Sequence, residues 1–161
     1  MNPSYFRIKL HMNEAIDRLC AWNDASYKER IETRYSKAVH VCIDEKGNWK
    51  GQCLYVYEKN GWTIFEDLSG GYSFIEPASW LEFAEDNEFL LAGYNDAIIY
   101  AELLAIEDRK VTKYFLKCDD CPEEDTNEGD GIPEIENWVD VASLVDEDEL
   151  VYAETGTVLI F

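Results

Sequence analysis

The sequence predicts a single α+β domain over residues 1–161, built on a mostly antiparallel sheet with helices before, within and after it. Three observations lead there. Short segments alternate apolar and polar residues, as half-buried strands do. Tight-turn residues such as Asn60-Gly61 and Asn95-Asp96 separate neighbouring segments, which marks hairpins. Helical spacing of apolar residues interrupts the strands in several places, and no internal repeat is visible.

Taken in order, Phe6, Ile8 and Leu10 alternate with Tyr5, Arg7 and Lys9 and read as a strand. Asn13 suits an N-cap, and Ala15, Ile16, Leu19 and Cys20 share one face of the helix after it. Tyr27, Ile31 and Tyr35 recur every four residues from Asp24 onward, which predicts a second helical segment. Val39, Val41 and Ile43 then alternate with His40 and Cys42 as a strand, ending at the Glu45–Asn48 turn. Trp49 to Tyr57 reads as the return strand and Trp62 to Phe65 as a third, so the three form a meander.

Pro77 suits the first turn of a short helix carrying Trp80, Leu81 and Ala84. Glu88–Tyr94 and Ala97–Ile106 make a hairpin, and Val111–Leu116 adds a further strand. Cys118 to Glu134 contains Pro122, Gly129, Gly131, Pro133 and eight acids, the composition of an exposed loop. Ile135, Trp138, Val139 and Ala142 follow helical spacing, and Val158–Phe161 ends the chain as a short strand.

With 47% hydrophobic and 14% aromatic residues in 161, the chain can bury a sizeable core, which excludes disordered and collagen-like classes. No run of 18 apolar residues is present, and Arg7, Lys9, Glu14 and Asp17 interrupt the N-terminal segment. A membrane span and a secretory leader are therefore not expected, and a cytoplasmic location is. Five cysteines, an odd number, are accordingly expected as reduced thiols, with Cys20 and Cys42 as small core residues.

Charge is the strongest functional signal. The formal net charge is −20, and it is unevenly spread. Residues 1–117 hold 19 acids against all 14 bases, while residues 118–161 hold 15 acids and no Lys or Arg. Asn60–Asp108 also lacks bases and carries 11 acids. Such a field repels nucleic acid and anionic membranes and attracts basic protein surfaces. The plainer interpretation of the same acidity is solubility.

Candidate chemistry is sparse. Cys118-Asp-Asp-Cys121 is a Cys-x-x-Cys pair, but it enters an acidic loop where Asp119 and Asp120 disfavour a thiolate. Zinc would need Cys42 and Cys53 as further ligands, at a spacing unlike any usual knuckle. Asp125, Asn127 and Glu136 start a calcium-loop pattern, yet Gly129-Asp130 reverses the order it requires. His11 and His40 lack a nucleophile in a recognisable setting, and His40 reads as half-buried packing. Phosphate-binding, dinucleotide and hydrolase signatures are missing, so no cofactor and no catalytic residue are expected.

In size, acidity, reduced cysteines and lack of catalytic motifs, the chain resembles bacterial immunity proteins of toxin–immunity pairs. The resemblance is one of overall profile and carries no motif. It implies an inhibitor that docks an acidic face on a basic partner, such as a nuclease toxin whose cleft must hold phosphates. The contact surface expected on that basis comprises Asp119, Asp120, Glu123, Glu124, Asp125, Asp146, Glu147, Asp148 and Glu149, with Trp138 and Tyr152 beside them. The alternatives are a small metal- or thiol-dependent enzyme using Cys118 and Cys121, and a housekeeping interaction domain whose acidity only solvates it.

Overall fold

A computed structural model describes residues 4–131, 133–147 and 154–161. The elements run β1 (Ser4–Ile8), α1 (Met12–Trp22), β2 (Glu29–Arg34), α2 (Tyr35–Cys42), β3 (Cys53–Lys59), β4 (Trp62–Asp67) and α3 (Pro77–Ala84). They continue with β5 (Phe89–Asn95), β6 (Tyr100–Glu107), β7 (Lys110–Cys118), a 3-10 turn (Pro122–Glu124), β8 (Thr126–Glu128), α4 (Trp138–Glu147) and β9 (Thr155–Ile160). The strands form one sheet in the order β2-β9-β3-β4-β1-β5-β6-β7-β8. Every pairing is antiparallel, so the α+β class holds.

Both faces of the sheet are covered. Alternation along β1 turns Phe6 and Ile8 to one face and Tyr5 to the other. On the first face α1 supplies Ala15, Ile16 and Leu19, and α3 supplies Trp80, Phe83 and Ala84. They close over Leu54, Val56, Phe65, Leu91 and Leu104. On the second face α2 supplies Ala38 and Cys42, and α4 supplies Val141 and Val145, over Tyr55, Ile64, Leu103, Phe115 and Val158.

Several sequence expectations hold: β1, the α1 face, the Asn60-Gly61 hairpin between β3 and β4, the Pro77 helix, and the β5–β6–β7 run. Residues 24–43 differ. The segment read as a helix contains strand β2, and the segment read as a strand is helix α2. β2 exists because β9 offers it a full ladder from Glu29↔Ile160 to Arg34↔Thr155. That long-range pairing outweighs the local four-residue spacing. The three-strand meander accordingly reduces to the β3–β4 hairpin, with β9 in the place expected for a strand at Val39–Ile43. His40 is exposed on the last turn of α2, not half-buried in a strand.

Two further corrections concern the C-terminal third. The stretch expected as a loop includes the 3-10 turn and the edge strand β8, paired with β7 through Phe115↔Asn127. Gly129, directly after β8, has a φ of +83° and a Cβ position 2.2 Å from Thr112 O, so no side chain fits there. Helix α4 begins at Trp138 and buries Val141, Ala142 and Val145, while Val139 is exposed. Ile135 packs from the preceding loop instead of from the helix.

The first-face core is strongly aromatic. Phe6 lies 4.8 Å from Phe65, 5.0 Å from Tyr72 and 5.1 Å from Trp80, centroid to centroid, and Trp80 stacks on Trp22 at 4.8 Å. Such pairs add to the burial of their surface. Truncating Phe6→Ala removes the ring that all three touch. It is expected to destabilise the fold by about 3–5 kcal/mol, read as a lower urea midpoint.

The second face buries a carboxylate. Glu66 on β4 lies between its cross-strand neighbours Tyr5 and Tyr55 and is 4% exposed. Tyr35 donates a 2.7 Å hydrogen bond to Oε1. Burial pushes the Glu66 carboxyl up to about 7, with the Tyr35 bond opposing the shift. A carboxyl raised in the folded state stabilises most below its unfolded value and loses that contribution as pH rises through the folded one. The Glu66→Gln variant removes the titration. Urea midpoints of the wild type are therefore expected to fall relative to Glu66→Gln between pH 4.5 and pH 8, by on the order of 3 kcal/mol in stability. Parallel pH profiles would contradict it.

Candidate functional site

The acidic segment after β7 forms a corner at one edge of the sheet. β7 carries it there, because β7 and β8 are the last two strands in the order. Alternation along β7 splits its side chains between faces: Phe115 joins the α4-side core, while Leu116 and Cys118 join a small cluster with Tyr100 on the α3 side. Lys113 and Lys117 share the face of Phe115.

Those two lysines hold the corner in place. Lys117 Nζ pairs with Asp125 at 2.7 Å and Asp119 at 3.0 Å, and Asp125 also accepts from the Cys118 amide at 2.8 Å. The Lys117 ammonium and the amide hold the Asp125 carboxyl below its ordinary value. Buried Lys113 donates to Asn127 Oδ1 at 2.7 Å and to the Gly129 carbonyl at 3.0 Å.

The structure thus divides the expected contact residues. Asp119 and Asp125 are exposed but paired with Lys117, whereas Asp120, Glu123 and Glu124 are exposed and enter none of the ion pairs among the described residues. Asp146, near the end of α4, accepts from Tyr94 Oη at 2.8 Å. Tyr94 pairs with Ala101, which pairs with Lys117, so Asp146 sits at the same end of the sheet as the corner. Two strand spacings, about 10 Å, separate them in the sheet. Trp138 is half-buried and opens α4, about 12 Å along the helix from Asp146. Glu147 closes α4, and Asp148, Glu149 and Tyr152 lie outside the described residues.

Cys118 and Cys121 are joined in a disulfide, contrary to the expectation of reduced thiols. The chain doubles back after β7, with the Cys121 amide on the Cys118 carbonyl at 3.2 Å, and brings the Cα atoms to 5.2 Å. Cys42 is buried as expected, Cys20 only partly so. The four-cysteine zinc arrangement is not formed. Cys53 lies on β3, five strands away from β7 in the sheet order, and beside Cys42 in the other half of the molecule. The described residues include no cluster of His, Cys, Asp or Glu able to hold a metal. The calcium-like residues are engaged elsewhere, Asp125 by Lys117 and Asn127 by Lys113 and the Ile135 carbonyl.

Sequence reasoning missed the groove next to this corner. It lies on the α3 side, with a volume of about 760 Å³. Phe74 and Pro77 form one wall, Tyr114 and Leu116 the floor, and Cys121 and Thr126 the other wall, with Glu76, Glu124 and Glu128 around it. Burial, and then Glu102, Glu76, Glu124 and Glu128 in that order, push the Tyr114 phenol up to about 12. The base-free Asn60–Asp108 stretch was the available signal, since Glu76 and Glu102 both come from it.

The disulfide closes a short ring, so its effect on stability is small. Reduction by a phosphine is expected to cost about 2 kcal/mol or less. Hydrogen exchange should quicken at Cys121 and Glu124, whose amides bond within the turn, and stay unchanged in β3. An unaltered turn would mean that Lys117 and Asp125 suffice to hold it. No known family, curated protein or solved structure matches the chain.

Proposed function

We propose that the chain is an acidic protein-binding inhibitor of the immunity type, which neutralises a basic partner by charge-steered docking at the corner after β7. One observation carries this reading. The sheet order places the acidic segment that follows β7 at the β8 edge, while Lys28, Arg30, Arg34, Lys37, Lys46 and Lys50 lie around β2 and α2 at the opposite edge, interspersed there with Glu29, Glu32, Asp44 and Glu45. Nine strands at the usual spacing put the two edges about 38 Å apart along the sheet. That exceeds the ~8 Å screening length of physiological salt several-fold, so those bases do not cancel the acidic edge.

Asp120, Glu123 and Glu124 project from a turn held by the Cys118–Cys121 disulfide and the Lys117 clamp. A partner meets them largely preorganised, which lowers the ordering cost of association. A thiol-dependent activity at the same pair draws less support, because Asp119 and Asp120 lie within its ring and disfavour the thiolate that exchange requires. No helix among the described residues is long and apolar enough to cross a membrane.

The test uses the product of the adjoining reading frame, whose terminal domain is expected to be basic. Its association rate with this chain should fall by about tenfold or more from 50 to 300 mM salt. The triple variant Asp120→Asn, Glu123→Gln, Asp146→Asn should slow it at low salt with little change in dissociation. An association rate indifferent to both salt and the variant would overturn charge-steered docking.

A further inference from the structure

We propose that the groove between α3 and β8 is a binding site for one arginine side chain, presented by an extended segment of the basic partner. The inference rests on the docking reading and gives it a specific anchor. Three features of the groove select this ligand.

The first is an uncompensated negative rim over an apolar floor. Glu76, Glu124 and Glu128 surround Tyr114, Leu116, Phe74 and Pro77. The nearest bases along the chain, Lys113 and Lys117, alternate onto the opposite face of β7, where Asn127, the Gly129 carbonyl, Asp119 and Asp125 occupy them. None of the ion pairs among the described residues includes Glu76, Glu124 or Glu128.

The second feature is a buried carboxylate short of a donor. Glu102 is 2% exposed and lies on β6 opposite Leu116, on the groove side of the sheet. Its Oε2 accepts from Tyr100 Oη at 2.5 Å and from the Phe74 amide at 3.3 Å. Its Oε1 is buried with no hydrogen-bond partner. Glu102 lies behind the groove, bonded to the amide of Phe74 and opposite Leu116, both of which line it, and close enough to Tyr114 to raise its phenol. When ionised, Glu102 adds to the negative potential that a cation in the groove would meet.

The third feature selects guanidinium over ammonium. Phe74 is half exposed, with its ring 4.8 Å from that of Tyr100 and tilted 33° to it, and Tyr114 also lines the groove. A planar, weakly hydrated guanidinium can lie against such rings while its edges meet carboxylates two at a time. Ammonium is a compact, strongly hydrated charge and uses only half of that arrangement.

The experiment is an NMR titration of the intact chain with the capped peptide Gly-Arg-Gly, compared with its citrulline and lysine counterparts. The arginine peptide should saturate, shifting Phe74, Glu102 and Tyr114, with the citrulline peptide about tenfold weaker. The double variant Glu76→Gln, Glu128→Gln changes two exposed side chains and should weaken arginine binding by about tenfold. The corner variant Asp120→Asn, Glu123→Gln should leave it within about twofold. Shifts that spread over the acidic surface without saturating, or equal binding of citrulline, would overturn the site. If the groove fails while the partner still associates in a salt-dependent way, the anchor is wrong and charge-steered docking stands. A saturable groove with salt-independent partner association would instead leave the site without the docking role.

Discussion

The inner strands of the sheet are covered on both faces, and that constraint decides where the charges on them can go. An inner strand such as β3, β4 or β6 has almost no wet side, so a polar residue inside must find a partner or shift its ionisation. Asp67 satisfies the rule by accepting from the Gly70 and Tyr72 amides, which also shapes the chain leading to α3. Lys113 satisfies it by fastening β8 to β7. Glu66 and Glu102 each keep one oxygen unmatched, and burial raises both carboxyls. The remaining acids are pushed to the edges and to the outer faces of helices, and the acidic corner is the largest result.

How far the sequence reveals this depends on how local each cause is. Hairpins whose turns carry Asn-Gly or Asn-Asp were readable, because turn chemistry and strand alternation act within a few residues. β2 and α2 were misread because neither is decided locally. Tyr27, Ile31 and Tyr35 suit a helix by spacing, yet β9, over a hundred residues later, supplies Arg30 and Ile31 with partners at Leu159 and Val158. Local spacing says nothing about a ladder formed at that distance.

The candidate site divides along the same line. Asp119 through Asp125 are contiguous, so their accumulation was visible, but their division by Lys117 was not. That division follows from which face of β7 each residue takes and from the turn that folds Asp125 back onto the Cys118 amide. The groove was invisible because its parts come from three separate segments: Phe74, Glu76 and Pro77 before α3, Tyr114 and Leu116 on β7, and Glu124 and Glu128 around β8. Only the sheet order brings them to one side of one edge.

The electrostatics of the corner also bear on the fold itself. A net charge of −20 works against compactness through self-repulsion, and the repulsion is greatest where acids crowd without bases. Lys117 offsets it for two of them, and the disulfide fixes the turn regardless of charge. Asp120, Glu123, Glu124, Glu128 and Glu76 retain their mutual repulsion in the free protein. A cationic partner that bound only the folded chain would relieve that repulsion, so binding and folding stability would be linked. At a partner concentration of 100 times its dissociation constant that linkage is worth about 2.7 kcal/mol. On the proposed reading, a surface strained by its own charge would be matched by a partner of the opposite sign, and part of the energy stored in keeping the acids together would appear as affinity when they are neutralised.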